Sequence, residues 1–164
     1  MTQAWPTASM RQRLLDLRQT AVALKQLDSN ADLVVEQSLA RYLTVRSVGY
    51  VEAIRDDVAD IYASVRAPIE IVRRVRHHLR TGLGGTPEQL TAFVRSFSPD
   101  WADELNEYLD QDNGLLRSSL GAMVASRKKI AHGDGDTVTT GRALAWATNA
   151  EEIGAWMLRR FNPN

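Results

Sequence analysis

The 164-residue chain reads as an all-α protein, a helical bundle with a long second helix and several short ones. Three observations predict this. Apolar residues recur at steps of three and four, no stretch alternates apolar with polar residues as a half-buried strand would, and the breaks between periodic stretches carry helix-starting residues. No internal repeat is visible. A chain of this length fits one domain spanning 1–164, near the size at which a single core is stable alone.

Taken in order, residues 1–8 read as a disordered lead, with Pro6 opposing an early helix. Met10, Leu14, Leu17, Ala21 and Leu24 then form one stripe, so a first helix is expected over about 9–27. Asp28, Ser29 and Asn30 supply a turn and an N-cap, because short oxygen-bearing side chains accept from the free amides of a new helix. Val35, Leu39, Leu43, Ser47, Val51, Ile54, Val58, Ile61 and Val65 mark the second helix, with no proline between Asn30 and Ala67. At about 1.5 Å per residue it extends for about 54 Å, longer than the domain is wide. It must therefore bend, with Gly49 the candidate position, or project.

Pro68 suits the first turn of a third helix over about 68–80, where its missing N–H has no partner to lose. That helix has a narrow apolar side, Val72, Val75 and Leu79, while Arg73, Arg76, His77 and Arg80 align on another face. Cations facing one way can bind a polyanion by releasing its counterions, which makes these four residues a candidate RNA-binding ridge. The ordinary alternative is a solvated face paired with the acidic stretch ahead. His77 and His78 point about 100° apart and are poorly placed to share a metal. Thr81 to Thr86 is glycine-rich but lacks the lysine and hydroxyl of a phosphate loop, so a hinge is expected. Thr86, Pro87 and Gln89 form a capping box, and Ser98 with Pro99 starts another helix by the same logic. Leu90, Val94 and Phe97 should face inward, as should Trp101, Leu105 and Tyr108. Asp110 to Gly114 breaks the chain, and a last helix over about 140–160 carries Ala143, Trp146, Ala150, Ile153 and Met157 inward.

Twenty basic and twenty acidic residues balance, so attraction to a polyanion must come from local segregation. Some exists. Residues 66–80 hold five arginines and one acid, while 99–113 hold six acids and no base. The absence of cysteine excludes disulfides, thiolate chemistry and the usual structural zinc sites. No run approaches a membrane span and the first residues lack a signal-peptide core, so a cytoplasmic protein without membrane attachment is expected. No metal or other cofactor is expected.

The stretch from Asp112 to Asp136 breaks the hydrophobic pattern. Leu116, Leu120 and Met123 set a stripe that closes at Ile130, and its next position after Met123 is Arg127. A helix places this arginine on the buried side, where it needs a carboxylate, a second copy of the chain or an anionic ligand to offset desolvation. Five residues on stands His132, followed by Gly133. Arg127, Lys128, Lys129, Ile130, Ala131, His132 and Gly133 together resemble the Arg-x4-His motif of the HEPN superfamily, all-helical domains that are often metal-independent ribonucleases. The likeness is strongest over 115–133. It departs from the common pattern at Lys128, where a small polar residue such as Asn is usual.

The resemblance implies a homodimer with paired motifs at the interface, an RNA substrate, and a toxin or defence role with an antitoxin protein as a possible partner. On a regular helix, residues five apart differ by about 140° in direction, so Arg127 and His132 do not converge unaided. Either Gly133 loosens the last turn, or two copies share one cleft. Cleavage without metal needs a base for the 2′-hydroxyl, positive charge at the phosphorane and an acid for the 5′-oxygen. His132 suits the proton transfers, and the planar fork of Arg127 suits the phosphate. The products would be a 2′,3′-cyclic phosphate and a 5′-hydroxyl. Lys128 and Lys129 would widen the phosphate footprint, and Glu52 in the second helix is a candidate partner for Arg127. The alternative is a non-catalytic dimerising or RNA- or protein-binding module, in which Arg127 serves a structural ion pair. On spacing alone, Arg127 to Gly133 is also an ordinary helix ending, since cations are favoured there.

Overall fold

The protein is described by a computed structural model over residues 4–27, 30, 32–135 and 137–163. Among the described residues six helical elements follow one another: α1 (Ala8–Lys25), α2 (Leu33–Arg66), α3 (Ile69–Arg80), α4 (Pro87–Arg95), α5 (Pro99–His132) and α6 (Thr140–Arg160). The described residues contain no strand, and none of their helices is long and apolar enough to cross a membrane.

α2 is the central pillar, because its buried residues cover a wide arc rather than a narrow stripe. Leu43, Ser47, Val48, Tyr50, Val51, Ile54, Arg55, Val58 and Ala59 are all buried, and α1, α3, α5 and α6 each pack against it. The two buried hydroxyls in this arc satisfy themselves locally, Thr44 donating to the Ala40 carbonyl (3.0 Å) and Ser47 to that of Leu43 (2.8 Å). α6 runs parallel to α2: Thr140 donates to Glu36 near their starts, and the Arg66 guanidinium reaches the Pro163 carbonyl (3.4 Å) at their ends. α1 runs antiparallel, held by Arg13 to Asp57 (3.0 Å) and Arg46 to Asp16 (3.7 Å).

Most element starts follow from the sequence chemistry. Thr86 and Gln89 close the expected capping box, and Ser98 accepts from the Trp101 amide (3.4 Å) ahead of α5. Asp32 is the cap of α2, accepting from the Val34 amide at 2.9 Å. The expected cap therefore moves along the chain; Asp28 and Ser29 lie outside the described residues. Within the expected lead, Trp5 donates its indole N–H to the Leu158 carbonyl (2.8 Å) and Thr7 caps α1, so residues 5–8 are tied to the bundle.

The second helix has no break at Gly49, and α2 is continuous. It carries no non-helical residue, Gly49 included, and Leu33, Val34, Val35 and Val65 at its two ends are exposed. At about 1.5 Å per residue its 34 residues extend for about 51 Å. α5, in contrast, is interrupted where a break was expected: Gln111 is extended, and Asp112, Asn113 and Gly114 all have positive φ. The chain folds back here. Arg117 reaches Asp110 at 2.6 Å and Asn106 at 3.0 Å, whereas in a straight helix 106 and 117 would stand about 16 Å apart.

Candidate active site at the end of α5

The second half of α5 buries Leu120, Met123, Val124 and Ser126, and this directs Arg127 toward α2. There Arg127 Nη2 lies 3.8 Å from Glu52 Oε2, the carboxylate singled out as its candidate partner. Arg127 is not buried, however: its side chain is 40% exposed and that of Glu52 24%. The helix direction is as expected, but α5 runs on toward its solvent-facing end, so the arginine lies at the margin of the core. At this separation the pair is electrostatic rather than hydrogen-bonded, and the guanidinium retains N–H donors for an anion.

α5 stays helical to His132 and ends on Gly133, which takes the left-handed conformation (φ 75°). Gly133 N–H donates to the Ile130 carbonyl (3.2 Å) and Asp134 N–H to that of Lys129 (3.0 Å), the paired bonds of a Schellman ending. The last turn is therefore not loosened, and Arg127 and His132 leave one regular helix about 140° apart. Within one chain they do not converge. His132 and Lys128 are exposed, as is Lys129. Among the described residues the His132 ring has no hydrogen-bond partner and is open to solvent.

The glycine-rich loop, expected to be a hinge, is instead clamped beside this pair. Gly85 is buried, with Glu52 and Val124 as its neighbours: a Cβ built there would lie 3.4 Å from Glu52 Oε1 and 3.6 Å from Val124. Gly84 has positive φ and no room for a Cβ against the Gln89 side chain, and its carbonyl accepts from Arg55. Arg55 is the residue that sequence reasoning missed. Its side chain is 4% exposed, pairs with Asp56 at 2.7 Å and lies over the Phe93 ring at 5.7 Å. The available signal was its position on α2 between Val51 and Ala59, inside the apolar arc.

The four candidates on α3 separate. Arg73, His77 and Arg80 are exposed, and among the described residues Arg73 and Arg80 form no ion pair. Arg76 is exposed as well but is drawn off the ridge by its pair with Asp60 of α2, also donating to Ser64 at 3.3 Å. The acidic stretch does not neutralise α3 either. Its Asp103, Glu104 and Asp110 pair with Arg95, Arg160 and Arg117. Among the described residues, no three potential ligands cluster as a metal site would require. No protein-family model, curated protein or solved structure matches this chain significantly.

Proposed function

We propose that the chain is a metal-independent endoribonuclease acting as a homodimer, in which Arg127 binds the scissile phosphate and His132 transfers protons. The observation that carries this reading is the pairing of roles at one helix end: an arginine steadied by Glu52 yet open to an anion, and an imidazole presented to solvent five residues later. His132 takes the 2′-hydroxyl proton, the 2′-oxygen attacks phosphorus, and a protonated imidazole returns a proton to the leaving 5′-oxygen. Arg127 holds the charge that develops on the phosphorane oxygens. A 2′,3′-cyclic phosphate and a 5′-hydroxyl result. Lys128 and Lys129 add positive charge beside the phosphate, and Arg73, His77 and Arg80 offer a second region for the RNA backbone. A toxin or defence role in the cytoplasm, held in check by an antitoxin protein, is the biological setting that fits such an activity.

Because the two side chains diverge within one helix, the complete site takes Arg127 from one protomer and His132 from the other. The same divergence, with the Glu52 pair, also supports a second reading as a non-catalytic HEPN-like module that dimerises or binds RNA or a protein. The two separate on substitution. The nuclease reading expects Arg127→Ala and His132→Ala each to abolish RNA cleavage while the helical circular dichroism is retained; cleavage that persists in both folded variants would exclude it.

A further inference from the structure

Independently of that reading, α3 leaves one wall of an open groove. This helix buries Val72, while Val75 and Leu79 remain half-buried along a depression of about 340 Å³. The facing wall is Phe93 of α4 and Phe97 in the turn after it, and the floor is Tyr62 of α2. These rings are fixed by edge contacts: Tyr62 lies 6.1 Å from Phe97 and 5.7 Å from Phe161, and Phe93 lies 5.3 Å from Phe97. The floor is therefore rigid as well as apolar, and it has no side chain of its own to fill the space above it.

The polar lining carries an arginine and no described acid. Arg66 stands in the wall with its guanidinium 5.1 Å from the Tyr62 ring centre, His78 and Ser96 are beside it, and among the described residues no acidic one lines the groove. The nearby carboxylate of Asp60 is taken up by Arg76. We propose that this groove binds a small amphipathic carboxylate, its alkyl chain or single ring against Tyr62, Phe93 and Phe97 and its carboxylate on Arg66. The volume is at the low end for small-molecule sites, which matches a short chain or single ring, and the pattern of apolar walls with a few convergent polar groups is that of such sites.

The probe is octanoate, titrated calorimetrically into the whole protein, with octanol as its uncharged counterpart. Octanoate should bind saturably at one site, and octanol at least about tenfold more weakly, since it lacks the charged hydrogen bond to Arg66. Val75→Trp fills the groove and should abolish binding of both. Ile71→Glu, at a half-exposed position on the lining, should weaken octanoate by a larger factor than octanol, since only the carboxylate is repelled by the new charge, which keeps the test decisive if Val75→Trp fails to fold. The assignment is overturned by absence of saturable octanoate binding, by equal affinity for octanoate and octanol, or by undiminished octanoate binding in either folded variant.

Discussion

Arg127 illustrates how one residue can be placed by its helix and tuned by its neighbour. Its pair with Glu52 is partly exposed and therefore contributes little to folding, at most about 1 kcal/mol after solvent screening. Its effect should be felt in orientation. Glu52→Gln is expected to leave the melting temperature nearly unchanged while lowering RNA cleavage by on the order of tenfold to hundredfold, as misplacement of a positioned group does; comparing thermal melts with initial cleavage rates checks both. Beside it, Ser126 is buried and, among the described residues, its hydroxyl has no hydrogen-bond partner. Ser126→Ala should therefore be neutral or stabilising by up to about 1 kcal/mol, read as an unchanged or raised denaturation midpoint. The direction of Arg127 was legible from the spacing of Leu120 and Met123, and Glu52 was legible as its candidate partner. Its exposure was not, because periodicity gives a direction on a helix but not where the covering layer ends.

At the scale of elements, the parallel packing of α2 on α6 depends on a missing side chain. A Cβ on Gly154 would come within 2.6 Å of the Tyr50 ring and 2.8 Å of its hydroxyl oxygen. Tyr50 is buried, and burial pushes its hydroxyl up to about 12. Gly154→Ala should cost about 1–3 kcal/mol by overpacking, measurable as a lower urea midpoint. The reversal inside α5 makes a pH prediction. The hydrogen bond from Arg117 holds the Asp110 carboxyl below its usual range. A carboxyl depressed in the folded state contributes stability above its unfolded value and loses it as pH falls through the folded one. Asp110→Asn should thus destabilise the protein near neutral pH, and the difference from wild type should vanish in acid, as parallel melts across pH would show. Caps, stripes and this break were legible because each rests on local chemistry: Thr86 with Gln89, Ser98 with Pro99, and Asp112 to Gly114 at positive φ. Arg55 and the clamped Gly84–Gly85 loop were not, since they depend on contacts between α2, α4 and α5 that no local pattern encodes.

For the whole molecule, the divergence of Arg127 and His132 on one regular helix is the decisive geometry. If protomers share sites, a mixture of Arg127→Ala and His132→Ala chains should regain cleavage, because a mixed dimer rebuilds one complete site. Neither variant alone should cleave. A mixture that exchanges protomers yet stays inactive would contradict the shared site. The proposal that each site is a ribonuclease centre rests on one measurement above all, incubation of the purified protein with a mixed RNA pool in EDTA followed by mapping of the product ends. The expected result is cleavage that His132→Ala abolishes, leaving 2′,3′-cyclic phosphates and 5′-hydroxyls. Intact RNA after incubation with the folded, dimeric wild type, or products bearing 5′-phosphates, would contradict it.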